Sequence, residues 1–461
     1  MSKCNASPLG KLRAVIIVLC LVTILGIFGY AYLTDRNDAV LEKDEILANI
    51  DAVSGEDLGY TYVSSYLKKY GVSNINSYKL NNIENQLEEQ FYKQIPEEKE
   101  LAKVIALLFV QDYYDTTDLD NKEAVTDAIL KCMFDSIDDP YAYYRTRKEF
   151  EEYLDSLEGG EEFVGIGIQV NKETLEISMV FKDSGAEAAG IKPGDVIVGV
   201  DDKTLEDTPK EELINLIRGE PDTTVKVIVK RGEELLEFVA TRQLLTERSV
   251  YYEMHEGGIG YIQLIQFLGD TPAQFKEAVD YLEANGATSL VVDVRYNPGG
   301  LLNSVVEIID YLVPDKEDRR IGSYTELGIP HVFYTGDGHS VDLPIVVICN
   351  EYTASAGELF TAAMRDYGNE GALKTAIVGT TTYGKGVAQN SFTLYDLSGI
   401  TFTIGYFNPP SDVNFNGVGV VPDIAVEETE EKDAPLLRAE EEAIKLSETK
   451  DGVEVSLGAA A

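Results

Sequence analysis

"SLVVDVRYNPGGLLNSVVEIIDYLV", residues 289–313, joins a continuous apolar run to a Pro-Gly-Gly turn and then to apolar positions at helical spacing. A short apolar run bounded by turn signals reads as a strand buried on both faces, and recurrence every three or four residues reads as a helix. The same pattern surrounds it. "IGYIQLIQF" (259–267) precedes helical "TPAQFKEAVDYLEANG" (271–286), "PIVVICN" (344–350) precedes "SAGELFTAAMRDYG" (355–368), and "TAIVGT" (375–380) follows. Alternating strands and helices predict an α/β layer with buried parallel strands. A more alternating β segment follows at 389–407, then a charged tail from about 429 with a helix at 435–446.

Upstream the composition changes at "LEGGEEFVGIGIQV" (157–170), where a glycine pair leads into β-branched, alternating sequence. Strand-like runs at 163–170, 175–181, 195–200 and 224–230, with helical "TPKEELINLIR" between the last two, predict a compact β module over 159–243. Residues 35–158 read as polar and helical, with apolar stripes in "EEKELAKVIALLFVQDYY" and "NKEAVTDAILKCMFDSI". Those stripes are packing faces. Self-association through this region is compatible with them, although nothing in the sequence specifies it. The expected divisions are 1–34, 35–158, 159–243, 244–428 and 429–461, in keeping with several domains for 461 residues.

Lys and Arg number 39 against 80 Asp and Glu, a formal net charge of −41, which repels phosphate backbones and excludes nucleic acid as a partner class. Lys3, Lys11 and Arg13 precede the 20 uncharged residues at 14–33. That length matches the ~20 residues needed to cross a bilayer. The segment exceeds a secretory signal core and lacks a good cleavage site, so an uncleaved anchor is expected. Basic residues before it and Asp35, Asp38, Glu42, Asp44 and Glu45 after it place the N-terminus in the cytoplasm and the rest of the chain outside. Cys4 and Cys20 fall in this stub and anchor, and Cys132 and Cys349 in separate regions, so no disulfide framework is implied.

No zinc-protease, Cys-x-x-Cys or phosphate-loop pattern occurs, so no metal or nucleotide cofactor is expected. The three histidines, His255, His331 and His339, occupy no recognisable catalytic context. "TASAGE" (353–358) contains Ser355 as the first residue of a Ser-x-x-Glu capping box, which alone explains a serine there. Its place at the carboxyl end of a buried strand, beside Ala354, Ala356 and Gly357, also suits a nucleophile with a helix-start amide as oxyanion donor. The Pro-Gly-Gly turn exposes the amides of Gly299 and Gly300. In "GTTTYGKGVAQN" (379–390), Lys385 and Gln389 share one face if the chain is extended, with Gln389 able to accept from the lysine amine. A lysine base must lose its proton near neutrality, against a free value of about 10.4. Each motif has a bland alternative: a cap, a strand-to-helix turn, and a solvated glycine-rich loop.

Together, and in this order, "DVRYNPGG", "TASAGE" and "GKGVAQ" resemble the C-terminal processing, or tail-specific, proteases. "SIDDPYAYYRTRKEFEEYL" (136–154) and "GVGVVPDIAV" (417–426) are similar to that family too. With the transmembrane anchor and helical segment read above, the resemblance, which runs from about residue 100 to 445, implies a multidomain α+β chain with a PDZ-like module and an α/β protease core of the crotonase and ClpP type. It implies Ser355 as nucleophile, Lys385 as general base and Gln389 as its orienting partner, with Ala356 and Gly299 or Gly300 supplying the oxyanion amides. "GIGI", Gly165, Ile166, Gly167 and Ile168, would grip a substrate's apolar C-terminus, with "AGIKPGDVIVGVDD" (189–202) as the matching second segment. "NEGALK" (369–374) reads as a small loop insertion relative to the family. The competing expectation is a catalytically silent, membrane-anchored PDZ scaffold that binds protein C-termini.

Overall fold

The structure, a computed structural model, describes residue 72 and residues 74–93, 104–105, 108–113, 116–428 and 433–448, apart from short internal breaks. The expected anchor at 14–33, most of "EEKELAKVIALLFVQDYY" and the last residues of the tail lie outside these. No described helix is long and apolar enough to cross a membrane.

Two compact units emerge. The first contains the described residues up to Thr146 together with Ser391–Phe402. Helix Lys122–Ser136 starts where the sequence predicts, because Asn121 Oδ1 accepts from the amides of Glu123 and Ala124 at 3.0 and 3.2 Å. It buries Val125, Ile129, Cys132 and Met133 along one stripe. Helix Ser77–Gln90 buries Leu80, Ile83 and Leu87 in the same way, and carries a cation inward. Lys79, 3% exposed, sits 2.6 Å from Asp396, 3.3 Å from Asp127 and 2.7 Å from the Tyr144 hydroxyl.

Burial alone pushes the Asp396 carboxyl up, but Lys79 and Ser398 outweigh it and hold the group below its ordinary range. A carboxyl depressed on folding stabilises above its unfolded value, about 3.9, and that contribution fades as pH falls through the folded value. Stability of the wild type should therefore fall on acidification below about pH 4, and Lys79→Met should flatten that dependence while lowering stability at neutrality. Denaturant midpoints across pH 2–7 read both effects.

The second unit, Arg147–Asn390 with Thr403–Ala461, holds the β module and the α/β core. In the module, strands Glu162–Gly165 and Gln243–Thr246 pair, Ile168–Val170 pairs with Ile177–Val180, and a four-stranded sheet runs 203–204, 196–200, 224–231, 234–241. The expected single run at 163–170 is two strands, broken at Ile166-Gly167, where Gly167 takes φ +81°. Short helix Gly185–Ala189 and strand Glu234–Thr241 are additions to the expected list, and helix Lys210–Ile217 is where the pattern placed it. Arg242 closes that helix by donating to the Leu216 and Ile217 carbonyls.

The core sheet orders its strands 250–255, 259–264, 289–293, 345–349, 375–379 and 424–425. Its first pair is antiparallel and the rest are parallel, with Asp293 opposite Ile348 and Cys349 opposite Gly379. Strands Ser289–Asp293 and Ile345–Cys349 are buried at every residue, as continuous apolar runs demand. Helix Ala434–Glu448 lays Ala439 and Ala443 against Val291, Val346, Ile348 and Val378. The antiparallel edge strand Val250–His255 and the hairpin Arg320–Glu326/Ile329–Tyr334 have no counterpart in the expected elements.

Candidate active site

All parallel strands of the core end on one edge, and there the quoted Pro-Gly-Gly turn meets the turn that follows Cys349. Asn350 joins the two, its Oδ1 accepting from the amides of Tyr296 (3.1 Å) and Tyr352 (3.2 Å). Thr353 Oγ1 donates to the Val294 carbonyl at 2.8 Å, and the Ala354 amide donates to the Asn297 carbonyl at 2.9 Å. The rings of Tyr296 and Tyr352 stack outside this lacing, 5.2 Å apart.

Ser355, half-buried, falls at the junction with helix Ala356–Asn369 and adopts φ 55°, ψ −118°. A non-glycine residue reaches that region only under strain, and a sharp strand-to-helix turn of this kind exposes a nucleophile's side chain. Both halves of the capping box are in place, and the glutamate half is a full hydrogen bond: Glu358 Oε2 accepts from the Ser355 amide at 2.9 Å. The Glu358 amide donates to the Ser355 carbonyl, and no hydrogen bond to the hydroxyl caps the helix. Ser355 thus stands in the capping position without its hydroxyl closing a full hydrogen bond on the helix.

Gly299 packs against this serine and Gly300 against Phe267, and neither position has room for a side chain. A Cβ at 299 would lie 2.7 Å from Ser355 Cβ and 2.9 Å from the Ala356 nitrogen, and one at 300 would lie 2.1 Å from the Phe267 carbonyl oxygen. Both glycines also have positive φ, 103° and 137°. The Gly299 amide already donates to Asn297 Oδ1 at 2.8 Å. Phe267 donates to the Gly299 carbonyl and accepts from the Leu301 amide, so the Gly300 amide points away from that strand. It meets no acceptor among the described residues, and neither does the Ala356 amide at the helix start.

Glu358 extends the site to the lysine loop. This side chain is fully buried and accepts from the Ser355 and Lys385 amides on Oε2 (2.9 and 2.7 Å), and from the Gly384 amide and Thr382 hydroxyl on Oε1 (both 2.6 Å). One carboxyl oxygen thus spans the backbones of Ser355 and Lys385. Sequence reasoning read Glu358 only as a cap. Lys385 is half-buried and precedes strand Val387–Thr393, which carries Gln389. Gln389 Nε2 donates to the Val387 carbonyl at 2.9 Å, which leaves its oxygen as the acceptor side.

In the β module, Gly165 ends one strand and Ile168 begins the next. The carbonyls of Ile166 and Gly167 accept from Ala186 and Phe181. Their amides have no acceptor among the described residues, the arrangement that suits a terminal carboxylate. All three histidines stack on tyrosines, His255 on Tyr261, His331 on Tyr324 and His339 on Tyr311. Among the described residues no group of His, Cys, Asp and Glu converges to hold a metal.

Burial pushes the thiols of Cys132 and Cys349 up to about 12. Both should stay unlabelled by iodoacetamide at pH 8 in the native protein and react after unfolding; native labelling of Cys349 would show that its strand end opens.

The Peptidase family S41 profile matches residues 258–426, and the PDZ domain profile matches 155–230. The carboxy-terminal processing protease CtpA of Bacillus subtilis is 31% identical over 348 residues, covering 75% of this chain and 72% of that protein. The chain belongs to the C-terminal processing protease family. A probable CtpA-like serine protease of Staphylococcus haemolyticus is 31% identical over 319 residues, which is 68% of this chain and 62% of the relative. The chain thus spans less than two thirds of that relative's length. Among solved structures, a photosystem II D1 C-terminal processing protease aligns at 25% identity with a TM-score of 0.51, over 76% of this chain and 93% of that one. Gly299, Gly300, Ser355, Lys385 and Gln389 all fall inside the S41 match, and Gly165–Ile168 inside the PDZ match.

Proposed function

We propose that this chain is a membrane-anchored serine endopeptidase, acting outside the cytoplasm on proteins recognised through apolar C-terminal tails. The observation that carries this reading is the shared Glu358 oxygen, which holds the Ser355 and Lys385 backbones together at a strained strand-to-helix turn.

Ser355 Oγ attacks the scissile carbonyl while the unprotonated Lys385 amine takes its proton. The carbonyl oxygen becomes an oxyanion held by the Ala356 amide and a glycine amide. What favours Gly300 over Gly299 is that Asn297 already occupies the Gly299 amide. Collapse breaks the peptide bond, and the lysine returns its proton to the leaving amine. Water, deprotonated by the same amine, then attacks the acyl-Ser355 ester and regenerates the serine. Gln389, with its oxygen free as an acceptor, orients the lysine. The PDZ module captures the substrate's terminal carboxylate on the 165–168 loop and adds the tail as a strand beside Ile168–Val170. Residues 14–33 supply the anchor, with the N-terminus cytoplasmic.

The full chain should hydrolyse an unfolded protein ending in an apolar free carboxylate about tenfold faster, at low substrate, than the same protein amidated at its terminus, the size of one charge-assisted contact. Equal rates would remove tail recognition. Binding of the tail with no hydrolysis would leave a scaffold in place of an enzyme.

A further inference from the structure

Beside the catalytic turns, at the carboxyl ends of the parallel strands, lies a cavity of about 460 Å³ whose walls come from every turn of the site but do not include Ser355. Tyr296 comes from the glycine turn, Asn350 and Glu351 from the serine turn, Thr380 from the chain leading to Lys385, and Glu427 and Glu428 from beyond the last strand. Its charge is one-signed: three carboxylates and no basic residue among the described lining. Glu428 is partly neutralised by Arg295 and the Tyr296 hydroxyl, both at 3.1 Å, and Glu351 accepts from the Thr380 hydroxyl at 2.8 Å. Glu427 has no such partner among the described residues.

A second observation points to a polypeptide ligand. Asn350 is only 4% exposed and lines the cavity, and its oxygen is fully engaged by the Tyr296 and Tyr352 amides. Its Nδ2 has no acceptor among the described residues and is not sealed from solvent, so both amide donors are open to an incoming carbonyl. Tyr296 is also held at φ 61°, an unusual conformation for a bulky residue, with its ring stacked on Tyr352 and 42% exposed. It offers an aromatic face to an aliphatic stem or a cation.

We infer that this cavity is a substrate subsite for a cationic group of the polypeptide near the scissile bond, read by Glu427 and Glu351, with Asn350 Nδ2 donating to a substrate backbone carbonyl. It rests on the endopeptidase reading and adds a charge preference that an apolar tail does not supply. Two sources share the chemistry: a lysine or arginine side chain, and the α-ammonium of the fragment that leaves on acylation.

The test is fluorescence anisotropy with the full-length Ser355→Ala protein and amidated twelve-residue peptides, which cannot use the terminal-carboxylate loop. One pair differs only by a central lysine or the uncharged isostere norleucine, and a second, lysine-free pair by a free or an acetylated N-terminus. The cationic member of a pair should bind about tenfold more tightly, the contribution of one charge-assisted contact, with the advantage shrinking as salt rises. Glu351→Gln/Glu427→Gln should erase it. A lysine effect assigns a side chain and an N-terminal effect assigns the leaving fragment. Equal affinities in both pairs, or a preference that survives the double substitution, would overturn the subsite. Failure of the wild type to cleave any protein would sink the endopeptidase reading instead, without bearing on these affinities.

Discussion

Lys385→Ala and Ser355→Ala should each reduce hydrolysis of an unfolded protein by about 10⁴-fold or more, the scale on which loss of one member of a nucleophile and base pair is felt. Neither change should unfold the protein. Glu358 accepts from the Lys385 backbone amide, and alanine keeps that bond. Lys385→Arg is the sharper probe, because a guanidinium retains the charge but cannot give up its proton. It should be as inactive as alanine, with melting temperature unchanged. Activity of Lys385→Arg above a tenth of wild type would remove the lysine from the role of base. Substitution of His255, His331 or His339, each stacked on a tyrosine, should leave turnover intact.

The second large effect is expected at Glu358. Alanine there would leave four donors without an acceptor in a fully buried place: three amides and the Thr382 hydroxyl. The loss should exceed ~3 kcal/mol, since each orphaned buried donor costs about 1–3 kcal/mol. Glu358→Gln keeps one acceptor oxygen and turns an NH2 group toward two donors, so it should fall between alanine and wild type in stability. Its activity should drop further than its stability does, about 100-fold, because a misplacement near 1 Å between reacting groups has that consequence. Urea midpoints measured beside kcat separate the two. A glutamine variant with full kcat and lowered stability would reduce Glu358 to a structural residue.

Local chemistry made much of this site legible. Ser355, Lys385 and the glycine turn announce themselves because their residue types are required within a few positions of a strand end. Glu358 was visible only as Ser-x-x-Glu, since its other partners lie 24 to 27 residues onward and nothing local links them. The distinction between Gly299 and Gly300 needed the Asn297 side chain, whose direction no spacing rule supplies. In the fold, the parallel strands were readable as continuous apolar runs. Strand Ile329–Tyr334 was not: it contains Pro330 and is exposed at all but one residue, so no buried face imposes a period on it. Strand Glu234–Thr241 is similarly exposed along most of its length. The anchor at 14–33 remains an inference from composition, outside the described residues.

The left-handed backbone at Ser355 sets stability against activity at a single position. Because the hydroxyl closes no full hydrogen bond on the helix, Ser355→Gly would release a strained conformation at small cost in capping, and glycine is the residue that tolerates φ 55°. The inactive protein is then the sturdier one. A selection for heat resistance applied to this chain, blind to proteolysis, would drift toward glycine at 355 and discard the enzyme while improving the fold.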